Sequence, residues 1–202
     1  MVGHDWGAIQ AFEAVATAHR ADRVASFTCI SGASFDLVGR RLRRDLAPGA
    51  AWPGRLFEVL GQLRRSWYMV LFQLPVVPEQ AFARGVGARV VERFERLEPR
   101  DGHPADTLAA DGANGVNLYR ANLHRVLRPR RGRVHVPVRV VVGDRDPALS
   151  AHLFEDLDAH ADDAAVEVVR GAHWLPRTHP EVVADRIRDL VEHVVARRTA
   201  PA

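Results

Sequence analysis

A carboxylate set between small residues opens the list of groups that could do chemistry. Asp5 stands in Gly3-His4-Asp5-Trp6-Gly7, with a glycine two residues away on either side. That spacing fits a sharp strand-to-helix turn that pushes one side chain out at the top of a sheet. Small residues are expected at both flanks, because β-carbons there would collide across the turn. A carboxylate so exposed can attack carbon and form an alkyl ester. Two later loops offer it partners: Gly143-Asp144-Arg145-Asp146-Pro147 and Gly171-Ala172-His173-Trp174. Nucleophile, acid, then His is the chain order of one known triad type, in which the imidazole takes a proton and the acid fixes its tautomer. Asp144 and Asp146 are both available as that acid. Ten histidines make one in a loop unremarkable, but His173 follows a glycine and precedes a helix.

The elements around these loops read as a parallel α/β sheet. Ile9, Phe12 and Ala16 recur at helical spacing up to His19. Arg23 to Ile30 reads as a buried strand stopped by Ser31-Gly32. Only Met1 and Val2 remain of the strand before the turn. From Phe35 to Arg133 strand-like runs vanish, and the stretch reads as an all-helical insertion of about 100 residues. Within it Leu56, Val59, Leu60 and Leu63 form one apolar helical face, and Trp67, Tyr68, Leu71 and Phe72 a shorter one ended by Pro75. Further helices are predicted over Glu79 to Gly85, Arg89 to Leu97 and Asn114 to Val126. Sheet texture returns at Val136 to Gly143 and Val166 to Val169. A last helix is predicted from Thr178, with Glu181 completing a capping box and Val183, Ile187, Leu190, Val191 and Val194 as its apolar face. The expected division is 1–34 and 134–202 as a discontinuous core, with 35–133 as a helical cap.

Gly-His-Asp-Trp-Gly-Ala resembles the nucleophile elbow of α/β-hydrolases of the epoxide hydrolase and haloalkane dehalogenase branch. The resemblance implies an α/β-hydrolase fold with Asp5 as nucleophile, His173 as base and Asp146 as orienting acid, from its Gly-x-x-Asp pattern. Related dehalogenases take the acid from an earlier loop, where Asp36 lies. The backbone N–H of Trp6 is implied as an oxyanion donor. Ser66 to Pro75 and Asn117 to Asn122 resemble the cap segments that carry two ring-opening tyrosines, and Tyr68 and Tyr119 are the chain's two tyrosines. Two phenols suit an epoxide, whose leaving oxygen becomes an alkoxide that needs a proton. A halide needs only weak donors such as the Trp6 indole. The implied enzyme needs no cofactor or metal and acts on a small apolar epoxide-type substrate and water. A haloalkane or haloacid dehalogenase on the same scaffold is the second reading. The resemblance leaves room for a homodimer.

The same family places several strands and a His-Gly-x-Pro loop before the elbow, and neither stands in these residues. The sequence therefore reads as the C-terminal part of such a hydrolase, from a misplaced start codon or a truncation. A non-catalytic fragment is the reading from a different class. A long open edge beside Val24 to Ile30, one oxyanion donor too few, and poor folding with little activity of the 202 residues alone are the expectations that follow.

Composition excludes other classes. Net charge is +3 and every basic residue other than His is Arg. The run Arg125 to Arg133 has no interleaved aromatics, so it reads as a solvated linker rather than a nucleic-acid patch. The apolar stretch Trp67 to Val77 is too short to span a bilayer. No signal-peptide pattern opens the sequence, and the single Cys29 cannot form an intramolecular disulfide, which fits a reducing cytoplasm.

Overall fold

The computed structural model describes residues 1–49, 52–95 and 105–199. Among them four strands run parallel and lie side by side in chain order: β1 (Val2–His4), β2 (Phe27–Ile30), β3 (Val138–Gly143) and β4 (Ala164–Val169). The register pairs Gly3 with Cys29, Cys29 with Val140 and Val140 with Val166. Helices α1 (Trp6–Val15) and α2 (Ala18–Ala21) connect β1 to β2. Between β2 and β3 come α3 (Phe35–Asp45), α4 (Trp52–Arg65), α5 (Trp67–Leu71), α6 (Val77–Ala83), α7 (Val86–Glu95), α8 (Leu108–Asn122) and α9 (His124–Leu127). Two short 3₁₀ turns, Ala151–Phe154 and Leu157–Ala159, join β3 to β4, and α10 (Leu175–Thr178) and α11 (Pro180–Thr199) close the chain.

Both faces of the sheet are covered, as a parallel sheet requires. Phe27, Cys29, Val138 and Val140 point to one side, against Phe12 and Val15 of α1, Leu37 of α3 and Phe154. Ile30 and Val141 point to the other, against Leu175 and Val183. The alternation within β2 and β3 is the pleat itself. Cys29 is fully buried and its thiol donates to Gly32 O at 2.8 Å. Burial pushes that thiol up to about 12, so it stays protonated.

Several boundaries differ from the sequence reading. The strand expected from Arg23 begins only at Phe27, because Arg23 and Val24 donate back to Arg20 O and Ala21 O and close the helical turn before it. β3 starts after Pro137, which has no N–H for the ladder. β2 is not open: β1 pairs along Thr28 to Ile30 on one side and β3 on the other, so the expected edge beside it is covered and, among the described residues, the sheet's edges are β1 and β4. The capping box at Thr178 does not form. Thr178 ends α10 and donates to Trp174 O, while α11 begins at Pro180, a residue suited to a first helical position. Val191 of the predicted α11 face is 49% exposed, whereas Val183, Leu190 and Val194 are buried. The predicted end of α7 at Leu97 lies outside the described residues. No described helix is long and apolar enough to cross a membrane.

The cap departs most. On α4, Leu60 and Leu63 are exposed, and the side chains turned inward are Val59 and the polar Gln62. The basic run is not simply solvated: Arg125 and Arg130 both pair with Glu13 and Asp36, and Arg133 pairs with Asp162.

Candidate active site

Asp5 is held in a strained turn. Its φ of 49° is left-handed, a region a non-glycine residue enters only when its surroundings fix it. Its N–H bonds to Ile30 O at 3.1 Å, and its carbonyl accepts from Ala8 and Ile9, so the backbone is spent on β2 and on the start of α1. The side chain makes no capping bond and is free for other work. Close approach explains one flanking glycine but not the other. A β-carbon on Gly3 would lie 2.7 Å from Gly7 O and 2.8 Å from Ala8 N, whereas one on Gly7 would meet nothing within 4 Å. Crowding across the turn instead involves Gly32, whose β-carbon would come 2.5 Å from Ala8 Cβ. Trp6 is the first residue of α1, so its N–H has no acceptor within the helix and remains available beside the carboxylate.

The other two groups come from the ends of β3 and β4. The loops after these strands are zipped together: Asp144 N–H bonds to Val169 O, Arg145 N–H to Gly171 O, and Gly171 N–H to the Asp144 carboxylate. This brings His173 beside Asp146. His173 Nδ1 donates to Asp146 Oδ2 at 3.0 Å, and Nε2 faces Asp5 Oδ1 at 3.7 Å. The Asp146 side chain is 0% exposed, that of His173 13% and that of Asp5 41%. Asp146 Oδ1 accepts from the N–H groups of Ala148 and Leu149. Burial would raise this carboxyl, but the bond and charge of His173 and those two N–H groups outweigh it and hold it below the usual carboxylate range.

Burial alone would discharge His173. The bond to Asp146 and the nearby Asp5 carboxylate win, and the imidazole is raised to about 10. The resting group is therefore an imidazolium between two carboxylates. The His4 ring lies tilted against that of His173, centroids 5.1 Å apart, and donates from Nε2 to His173 O at 3.0 Å. Burial lowers His4, and the charge on His173 lowers it further.

Of the three carboxylates considered as acid, only Asp146 meets the imidazole. Asp144 bonds the Gly171 backbone and lies near Arg145. Asp36 is turned away among Arg125 and Arg130, and it lines a separate charged cavity of about 170 Å³ with Glu13 and Arg40. Burial raises the Asp36 carboxyl, but the Arg130 N–H and the two guanidinium groups lower it overall.

A second cavity, of about 160 Å³, opens over Asp5 and His173. Its walls are mostly apolar, and Tyr68 and Tyr119 both face it. Their rings meet edge to face, centroids 5.8 Å apart. Burial pushes both phenols well above their ordinary value, with the charge of Asp5 adding to the effect, so both keep their protons. Trp6 stands edge-on to Tyr119 at 4.9 Å; its buried indole N–H has no hydrogen-bond partner within 3.5 Å among the described residues, but it lies close enough to the Tyr119 hydroxyl to favour the phenolate slightly against the larger effect of burial. Ser31, at φ 43°, also lines this cavity.

Three polar groups at the site escape a sequence reading. His4 sits inside the elbow motif, yet nothing in its spacing tells that it holds the His173 carbonyl. Gln62 and Glu95 come from the helices between β2 and β3 and bond the backbone of the loops that bear Asp146 and His173. The one available signal was a polar residue, Gln62, three residues after Val59 on an otherwise apolar stripe.

A profile of the alpha/beta hydrolase family matches residues 1–186. The Mycobacterium tuberculosis protein named "Probable oxidoreductase EphD" is 31% identical over 204 residues, which cover 95% of this chain and 33% of that protein. Mouse epoxide hydrolase 3 is 26% identical over 196 residues, covering 90% of this chain and 48% of its own length. The crystal structure of Bacillus megaterium epoxide hydrolase with an inhibitor has a TM-score of 0.70 at 17% identity, covering 95% of this chain and 68% of that one. At that identity the likeness is one of fold. The chain spans about a third of the mycobacterial relative and about half of the mouse one.

Proposed function

We propose that this chain, which belongs to the alpha/beta hydrolase family, opens small apolar epoxides to diols through an alkyl ester on Asp5. The observation that carries this reading is His173, set between Asp146 at 3.0 Å and Asp5 at 3.7 Å, under a cavity that two protonated phenols face. Relatives and fold neighbours named as epoxide hydrolases support it.

In the first step an Asp5 oxygen attacks an epoxide carbon and the ring C–O bond breaks. Tyr68 or Tyr119 gives its proton to the departing oxygen, and the hydroxy ester remains. Alkylation removes the Asp5 charge, one of the two that keep His173 protonated, so the imidazolium releases its proton to solvent and becomes a neutral base. His173 then takes a proton from water, which attacks the ester carbonyl. The oxyanion meets the Trp6 N–H. Collapse expels the diol oxygen, which takes the proton back from His173. The carboxylic acid left at Asp5 loses its proton, and that proton restores the phenol; with Asp5 charged again, His173 takes up a proton from solvent and the resting imidazolium returns.

A single turnover in ¹⁸O-water tests this order of events. Label is expected first in Asp5 and not in the diol. His173→Gln is expected to accumulate the ester as a mass increase equal to the epoxide. A variant that binds epoxide without gaining mass would sink the reading.

One observation favours a second reading. The buried indole N–H of Trp6, with no partner within 3.5 Å and only the Tyr119 hydroxyl near it, is the kind of weak donor that holds a halide, which fits a dehalogenase. Halide release from chloro- or bromoalkanes, with no diol from any epoxide, would favour it over the first.

A further inference from the structure

Two cap side chains grip the backbone of the loops that carry Asp146 and His173. Gln62 of α4 is 5% exposed, with Nε2 donating to Ala148 O at 2.9 Å and Oε1 accepting from Ser150 N–H at 3.0 Å. Ala148 is the residue whose N–H is given to Asp146 Oδ1. An unbroken line of bonds therefore runs from the cap amide, through one peptide segment, to the carboxylate and on to His173 Nδ1. Glu95 of α7 is 9% exposed, and its two oxygens accept from His173 N–H at 2.8 Å and Trp174 N–H at 3.1 Å. The His173 carbonyl is held from the floor by His4. The peptide that bears the imidazole is thus fixed from above and below.

The residue types match what they meet. Gln62 faces one carbonyl and one N–H, and its amide supplies one donor and one acceptor to match. Glu95 gives one oxygen to each of two N–H groups, whereas an amide in its place would turn its NH₂ toward one of them. Bonds to a charged acceptor are also the stronger kind. A buried group that merely filled space would not need this match.

We propose that Gln62 and Glu95 are positioning residues: through the Ala148–Ser150 and His173–Trp174 backbone they set the Asp146–His173 pair, and so make ester hydrolysis depend on a docked cap. The proposal rests on the reading of Asp5, Asp146 and His173 as a triad. It predicts an asymmetry, because ester formation uses Asp5 and the phenols, while ester hydrolysis uses the His173–Asp146 pair.

Two variants that leave the net charge unchanged test it. Gln62→Met removes both bonds to the loop, together with one from Nε2 to Ser66 Oγ within the cap, and Glu95→Asp withdraws both acceptors by one methylene. Mass spectrometry of quenched single turnovers gives the rates of ester gain and loss. A proton-NMR titration of His173 gives a readout that needs no substrate. The titratable groups about that imidazole are Asp5, Asp146 and His4, with Glu95 on its peptide. Ester formation is expected to stay within about twofold, and hydrolysis to slow about ten- to a hundredfold, the scale of a misplacement near 1 Å. The His173 midpoint is expected to fall below that of the parent chain as its bond to Asp146 loosens. Equal loss in both half-reactions, or no loss in either, with an unmoved titration, would overturn the proposal. If one variant fails to fold, the other, on a different helix and a different loop, decides alone. If the parent chain forms no ester, the epoxide reading fails, and the His173 titration by itself decides this inference.

Discussion

The floor of the site and its roof are built by different physics. On the floor, each group proposed to react sits at the end of a strand, and strand register places it. Asp5 follows β1, which is in register with β2; Asp146 and His173 follow β3 and β4, which pair over six residues. Val140, Val141 and Val142 are 0% exposed, so little there can shift. The roof has no register. Its helices carry Phe57, Val70 and Trp67 at 76, 71 and 62% exposure, and polar side chains make many of its close contacts. Arg120, next to Tyr119, ties α8 to Phe72 O, Leu74 O and Glu79. Gln62 and Glu95 tie the roof to the floor. A sheet positions charge by steric exclusion, and a helical cap positions phenols by directional bonds. Damage to the floor should therefore abolish chemistry or fold outright, and damage to the roof should grade it.

The largest effect expected is on the floor. Asp5→Asn should eliminate ester formation, since a neutral amide is a poor nucleophile. The fold should survive at a cost of no more than about 1–2 kcal/mol, because the Asp5 side chain caps nothing and His173 keeps its bond to Asp146 when the Asp5 charge is lost. Intact-mass measurement after epoxide treatment, with a thermal melt, checks both halves. An adduct on this variant would place the nucleophile elsewhere.

On the roof, Tyr68→Phe and Tyr119→Phe should each weaken ring opening, and the double variant should lose about 10²–10⁴-fold. Asp5 stays in place, so a reactive substrate whose leaving group needs no proton should still alkylate it at close to the parent rate. Comparing the two substrate types separates a lost proton donor from a disturbed floor. Equal loss on both would mean that the roof sets the floor's geometry through its phenols too.

The coupling between floor charges can be read by pH. His173 is held to about 10, against an ordinary value of 6.5, after the Asp146 and Asp5 contributions outweigh burial. A group raised on folding adds stability that is full below its unfolded value and is lost as pH climbs through its folded one. The part of stability that depends on His173 should thus fall between about pH 6.5 and 10, seen as a difference in denaturant midpoint between the parent and His173→Gln. In Asp5→Asn the midpoint of the His173 NMR titration should drop, since one raising charge is gone. A rise would mean that the imidazole and Asp5 are not coupled as their 3.7 Å separation implies.

What could be read in advance divides along the same line. Strand-helix-strand order, the elbow at Asp5, and the loops bearing Asp146 and His173 follow from short-range rules: turn geometry, pleat and chain order. The choice among Asp36, Asp144 and Asp146 does not, because it depends on which carboxylate the folded loops turn toward the imidazole. Asp36 instead meets Arg125 and Arg130 from about 90 residues away in the chain, a pairing no local pattern encodes. On α4 the apolar periodicity misled: Leu60 and Leu63 look like a core stripe, but the loop below offers a carbonyl and an N–H, and the helix turns Gln62 toward them. A buried polar contact satisfies backbone groups that a leucine would leave unpaired. Gly7 misled for the opposite reason, since the elbow pattern names it but no described atom presses on it.

The smallest effect belongs to the roof's surface, and a matched pair of truncations isolates it. Phe27 is 0% exposed and packs edge-on against Phe12 at 5.0 Å, and Phe57 is 76% exposed on α4. Phe27→Ala opens a cavity in a layer closed on both faces, at a cost of about 3–5 kcal/mol. Phe57→Ala removes the same atoms from a position that leaves most of them in water, so the expected change is within about 0.5 kcal/mol. Denaturant titration of both variants gives the two numbers on one scale. A gap of that size would show that the sheet layer carries the stability while the outer cap surface carries little. A Phe57 value near 2 kcal/mol would mean that this face is covered in solution, and α4, which bears Gln62, would then be held from outside as well as from below.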